Sequence, residues 1–411
     1  MSMDLVVSNA RLRGREDLVD IGIADGRIAV LAPVNSLSAA REIRAEGGLV
    51  TSSFVEPHCH IDKTLTRERL GALSPEEAFG RAREVKREFT VEDVERRACR
   101  ALELAVTHGT GKIRTQCDVD FATRLVSLEG VLRARERFAD LIDVEVTAFP
   151  QEGIVADPEA PDLLREALRN GASAVGALPE IETSRDDQRA HLDQIFRIAE
   201  EFDVPIDTHS DYLDDPELKT LELLADMTIE RDFQGRVVAG HCCALAVYPD
   251  DEAARVIDKV KQAQIDVLVM PVGNLQMLGG RKRTPYNRGS SRTLELLDGG
   301  VNVAAAGDNV HDIWTRFSRY DPVETGLITC LSAGMRTDDE IETAFDMVTT
   351  RADRALGGLG TGVQEGVPAD LVMFQALTIV DVLRNLPGQK RTVLKNGRVV
   401  GGLESRSWAA I

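Results

Sequence analysis

The run Glu56-Pro57-His58-Cys59-His60 sets two imidazoles one residue apart. Alternate residues of an extended segment point to the same side, so His58 and His60 can reach a single ion. His209, His241 and Asp308 each stand just beyond a short apolar run. Three imidazoles and a carboxylate make a donor set for one divalent cation, with a fourth imidazole to spare. A lone histidine is more often an ordinary polar residue than a ligand, but four of them and an acid at the ends of apolar runs are a pattern that chance placement rarely makes. A cation held this way lowers the pKa of bound water from about 16 toward 7 and supplies hydroxide at neutral pH. His108 and His191 fall in helical or loop contexts and read as structural, while His311 follows Asp308 closely enough to face a pocket mouth.

Groups so far apart in sequence meet only if a regular scaffold gathers them. From about residue 50 to 365, apolar runs alternate with amphipathic stretches rich in Glu, Arg, Leu and Ala, as βα units require. The strand candidates are 49–55, 111–115, 142–148, 174–177, 205–208, 236–239, 266–270 and 302–305. A set of this size can close a parallel barrel, whose C-terminal face collects catalytic groups, and the candidate ligands follow strands 1, 5, 6 and 8. Short strands at 5–12, 20–23, 27–31 and 42–45, with the hairpin signal Asp25-Gly26, precede this region, and strands at 369–374 and 392–400, with Asn396-Gly397, follow it. Neither end can bury a good core alone. The expected fold is therefore α/β, a (β/α)8 TIM-type barrel over residues 55–365 with a small β-domain built from 1–54 and 366–411.

Composition narrows the partners. The 411 residues are 43% hydrophobic and 28% charged, an ordinary globular balance, and the formal charge is −19. That charge repels phosphate backbones and anionic lipid, and the basic cluster Arg281, Lys282 and Arg283 sits among glycines without aromatics, as a solvated loop does. No nucleic acid and no membrane partner is expected, and a neutral or cationic small molecule fits better. Six cysteines without a C-x-x-C pair read as reduced thiols, and the N-terminus lacks a cationic region followed by an apolar stretch, so the expected location is cytoplasmic. No G-x-S-x-G elbow occurs, the Gly357–Gly362 run has neither Walker nor Rossmann spacing, and the H-x-E with P-C-x-x-C deaminase signature is missing.

The segment FVEPHCHID at 54–62 resembles the opening motif of the amidohydrolase superfamily, which implies that the small β-domain from 1–54 and 366–411 is a β-sandwich domain beside a metal-bearing barrel. AFPQEGI at 148–154, residues 274–289 and GDNVHDIW at 307–314 resemble its cytosine deaminase branch along nearly the whole chain, while Lys63 in HIDKT resembles the N-isopropylammelide isopropylaminohydrolases of the same branch. The resemblance implies one divalent metal ion, zinc or iron(II), on His58, His60, His209 and Asp308, and a homo-oligomer. It implies that His241 polarises the attacking water or leaving amine and that Asp308 takes the water's proton. The branch places a proton-shuttling glutamate three residues after the strand-5 histidine, where this chain has Tyr212; Asp211 is the expected substitute, with Tyr212 or Asp214 as alternatives. Gln151 matches the glutamine that reads the amide edge of cytosine, for which an amide offers both donor and acceptor. Asn309 replaces an acid that follows the metal aspartate, Trp314 could wall the ring, Lys63 could contact substrate or neutralise Asp62, and Glu152 is expected to bond within its own loop. A binuclear site is less favoured, because Glu180 lies late after strand 4. The implied activity is hydrolytic deamination of a cytosine-like aminated heterocycle (pyrimidine, triazine or purine); the alternatives are hydrolysis of an N-alkylamino or cyclic amide bond, and a non-catalytic metal-retaining binding protein.

Overall fold

The structure, a computed structural model, describes residues 3–70, 75–278, 290–360, 362–385 and 390–404. The basic cluster at 281–283 and most of the 274–289 segment lie outside the described residues.

The chain opens with β1 (Leu5–Ala10), β2 (Val19–Ala24), β3 (Arg27–Pro33), β4 (Glu42–Arg44) and β5 (Val50–Ser52). The barrel strands follow as β6 (Phe54–Cys59), β7 (Thr110–Asp118), β8 (Asp143–Phe149), β9 (Ala174–Ala177), β10 (Ile206–Ser210), β11 (Val237–His241), β12 (Asp266–Val269) and β13 (Val303–Ala305). The chain returns through β14 (Leu371–Phe374), β15 (Arg391–Lys395) and β16 (Arg398–Leu403). Strands β6 to β13 form one eight-stranded sheet in sequence order, parallel at every pairing, and helices cover its outside. The sheet curls until its edges meet. Asp308 N donates to His58 O at 3.1 Å, and the Glu56 carboxyl accepts Gly307 N at 3.1 and 3.0 Å. This is the (β/α)8 barrel expected from the sequence.

The helix Val91–His108 shows how locally the covering layer is specified. Thr90 caps its first turn by accepting Asp93 N, Gly109 ends it at φ 100°, and Val94, Ala98, Ala101, Leu102 and Ala105 form its buried stripe. Proline or glycine inside that stretch would break the pattern.

Two four-stranded sheets, β3-β2-β1-β4 and β16-β15-β14-β5, draw strands from both chain ends. They share one buried cluster in which Leu5, Val7, Ile21 and Ile23 meet Ala369, Leu371 and Leu394. Asp25-Gly26 and Asn396-Gly397 turn their hairpins with positive φ at both residues, and the turns nest so closely that a Cβ on Gly26 would lie 3.2 Å from that of Asn396. The stretch 49–55, expected as one barrel strand, divides. Residues 50–52 pair antiparallel with β14, the chain turns at Ser53, and the barrel's first strand runs on through Cys59, so His58 lies within it. Arg391 ties the parts together, donating to both oxygens of Asp321 (2.8 and 3.1 Å) and to His108 O (2.8 Å). Among the described residues no helix is long and apolar enough to cross a membrane.

Candidate active site

At the C-terminal end of the barrel the side chains of His58, His60, His209, His241 and Asp308 converge. All are buried. The Nε2 atoms of His60 and His209 face each other at 3.3 Å, and Asp308 Oδ1 lies 3.5 Å from His60 Nε2 and 3.9 Å from His58 Nε2. One ligand atom from each of His58, His60 and His209 lies within 4.8 Å of the others, and the same holds for His58, His241 and Asp308. His58 Nε2 and both Asp308 oxygens are buried without a hydrogen-bond partner. Burial and neighbouring positive groups, Lys63 first, hold the His60 imidazole well below its usual range. Burial and then His58 do the same for His209, keeping both rings in the neutral form that ligates metal. Orphaned acceptors aimed at one point, in a nitrogen and oxygen donor set, fit a divalent cation.

Local structure supports this convergence. A Cβ on Gly273 would meet Asp308 Oδ2 at 2.7 Å, so only glycine leaves that carboxylate room. His241 (φ 71°) and Asp308 (φ 63°) adopt left-handed backbone that β-strand residues avoid, a distortion of the kind found at functional sites. The Phe149 ring stacks on His209 with centroids 4.4 Å apart. His241 Nδ1 meets Asn274 Oδ1 at 2.9 Å, and Asn274 Nδ2 donates to Cys243 Sγ at 3.0 Å. The Nδ1 proton of His241 is thereby fixed and its Nε2 is left toward the cluster.

A cavity of ≈ 300 Å³ opens on the cluster, and Lys63, Gln151, Tyr212, Asn309 and Trp314 line it together with His60, His209, His241 and Asp308. Lys63 Nζ donates to Gln151 Oε1 at 2.7 Å and to Asp118 Oδ1 at 3.0 Å. Its hydrogen-bonded carboxylate is therefore Asp118, while the neighbouring Asp62 acts on it through charge. Glu152 reaches out of its loop to Arg83 and to Lys86, which lies 3.3 Å away, rather than bonding within it. Lys86 also holds Asp118 and Asp120, each at 2.8 Å. Asn309 is buried and donates its amide to Asp312, whose carboxyl burial raises to about 7. Asp118 and Lys86 escaped the sequence reading, because an aspartate ending a strand and a lysine on an amphipathic helix both look solvent-facing.

Asp211 does not reach this cavity, which corrects the expected proton shuttle. Its Oδ1 accepts Thr220 N (2.7 Å) and Thr220 Oγ1 (2.9 Å), its Oδ2 accepts the Tyr248 hydroxyl (3.0 Å), and the side chain is fully buried in the scaffold. Glu180 sits on the same scaffold against Asp211 N and Thr220, away from the imidazoles, with its carboxyl raised to about 8 by burial and then by Asp211. His191 bonds Glu182 and the Leu178 amide, and His311 is exposed and outside the cavity lining.

A closed parallel barrel with a buried histidine and aspartate cluster at its C-terminal mouth defines the class of TIM-barrel hydrolases. The chain belongs to the amidohydrolase family, whose pattern matches residues 66–401. It is 30% identical over 409 residues to the N-isopropylammelide isopropyl amidohydrolase of Pseudomonas sp. (strain ADP), covering 97% of each chain. It is 32% identical over 390 residues to the pterin deaminase of Rhizobium rhizogenes (strain K84), covering 93% of this chain and 87% of that one. The crystal structure of 5-methylcytosine deaminase from Klebsiella pneumoniae with 5-fluorocytosine superposes with a TM-score of 0.90 at 30% identity, over 99% of this chain and 98% of that one. These relatives act on carbon–nitrogen bonds, and the chain is a hydrolase of that kind.

Proposed function

We propose that the chain hydrolyses the bond between a ring carbon and its exocyclic amine in an amino-oxo heterocycle, a cytosine-like pyrimidine, triazine, purine or pteridine, releasing ammonia. The Lys63–Gln151 pair facing the histidine cluster across one small cavity carries this reading. With its oxygen engaged by Lys63, Gln151 offers N–H groups, so this edge of the pocket donates and selects a ring carbonyl one ring nitrogen away from the reacting carbon. Held by His58, His60, His209 and Asp308, a divalent ion such as zinc or iron(II) would acidify water and polarise the site. Asp308 has two unpartnered oxygens with which to take a proton from water and return it to the departing nitrogen, which cannot leave as an amide anion. His241, its Nδ1 side fixed by Asn274, presents Nε2 to the same centre. Tyr212 and Trp314 line the same cavity, where the indole would wall a planar ring.

The apolar Leu178, Ile181, Met277 and Ile313 also line the cavity and would accept an alkyl group on the leaving nitrogen, which favours hydrolysis of a ring carbon–alkylamine bond as the second reading. A panel of aminopyrimidines, aminotriazines, aminopurines and pterins, with N-alkylated triazines alongside, separates the two through the product, ammonia or alkylamine. Gln151→Leu is expected to lower kcat/KM by about 10–100-fold on the best substrate, the cost of leaving one buried ring carbonyl without its donor. No turnover of any member by protein carrying one metal per chain would overturn the proposal.

A further inference from the structure

Below the cluster, inside the barrel, lies a carboxylate that the proposed chemistry leaves unused. Asp207 precedes His209 by two residues on β10 and so shares its inward face. It is fully buried, its Oδ1 is 3.6 Å from His58 Nδ1, and its Oδ2 is 3.7 Å from Arg114 Nη1. Neither oxygen has a hydrogen-bond partner, and neither does Arg114 Nη1. Arg114 on β7 is pinned from the other side by Glu145 on β8, through Nε at 3.0 Å and Nη2 at 2.7 Å, and Lys112 Nζ meets the same Glu145 at 3.0 Å. A file of alternating charge, Lys112, Glu145, Arg114 and Asp207, thus runs up the barrel and ends against His58.

A buried carboxylate is costly unless positive partners face it, and Arg114 is one such partner. The other position it faces is the outer nitrogen of His58. Once Nε2 of that ring binds a metal, its proton must reside on Nδ1, which then needs an acceptor. Gln116 Nε2, at 3.4 Å, is a neutral neighbour of this nitrogen. We infer that Asp207 is the positioning residue for His58: it accepts the Nδ1 proton, fixes tautomer and ring orientation, and is itself held by Arg114. The inference rests on the proposed metal site and extends it to the residues that hold one ligand in place.

Metal affinity, measured by competition with a chromophoric chelator, separates this inference from the reading beneath it. Wild-type protein that binds no zinc would end the metal-site reading. If the wild type binds one equivalent, Asp207→Asn is expected to bind about 10–100-fold more weakly, with a shifted cobalt(II) absorption spectrum. The double variant Asp207→Asn with Arg114→Met leaves no lone buried charge and should show the same loss. Either folded variant binding zinc within twofold of wild type would overturn the inference. A crystal structure of the zinc-loaded wild type decides it without any variant. His58 Nδ1 and Asp207 Oδ1 should close to hydrogen-bond distance, below about 3.2 Å, and a different acceptor at Nδ1 would rule Asp207 out.

Discussion

His60, His209 and His241 are all held below the ordinary histidine range, with burial as the first cause in each case. Asp211, one residue past Ser210 at the end of the same strand as His209, shows the opposite shift for the same reason, since burial pushes its carboxyl up. Its oxygens are committed to Thr220 and Tyr248, and this distinguishes a scaffold carboxyl from a shuttle. Asp211→Asn should therefore act on stability, because an amide offers N–H where donors converge, at a cost of about 1–3 kcal/mol read as a lower melting temperature. Turnover at 25 °C should stay within a few-fold of wild type, whereas losing a true proton carrier costs about 10²-fold or more. A hundredfold fall in kcat with an unchanged melting curve would return the shuttle role to Asp211. The metal-type donors were legible in the sequence because histidine is scarce, seven in the chain, and four of them end strands. Lys86 and Asp118 were not, because nothing in their local pattern shows that the Pro75–Arg87 helix and the end of β7 face one cavity.

The elements were read from period and turn chemistry, and they were misread where the barrel turns polar inside. Glu56, Pro57 and His58 continue β6 past the expected strand end at residue 55, because strand patterns assume an apolar inner face and this one faces the cluster. The divided stretch 49–55 was opaque for a related reason: continuous apolar residues do not show that a chain leaves one sheet for another at Ser53. At the opposite end of the barrel, Asp266 begins β12 with its carboxyl raised from 3.8 to about 6 by burial, against the Asn302 hydrogen bond and Arg354, which lower it. Between those two pH values the folded chain keeps a proton that the unfolded chain has released. Stability is then full below 3.8 and falls as pH rises through 6, by about 3 kcal/mol at most. Asp266→Asn removes this titration. It should melt above the wild type at pH 7.5 and lose that advantage near pH 4, and a difference in melting temperature independent of pH would show that Asp266 is not held protonated.

At the scale of the molecule, the histidine cluster and the shared core of the terminal sheets bear on stability in different ways. Leu5, Ile21, Leu371 and Leu394 bury apolar surface against one another, and Arg391 bonds Asp321 and His108, with none of these residues in the cavity lining. Removing metal should therefore leave the fold standing. The cluster itself gathers His58 Nε2 and both Asp308 oxygens without hydrogen-bond partners, so a cation bound there binds the folded chain alone. Linkage then sets the size of the effect. At free metal about 1,000 times Kd, binding adds roughly 4 kcal/mol, and each tenfold change in free metal moves that figure by about 1.4 kcal/mol. Dialysis against chelator should lower the melting temperature by several degrees while circular dichroism at 25 °C is unchanged, and added zinc should restore it with a logarithmic dependence on concentration. Replacing His209 with alanine should abolish that dependence by removing one ligand. A melting temperature indifferent to metal in wild-type protein, with elemental analysis finding none bound, would mean that these donors do not form a metal site.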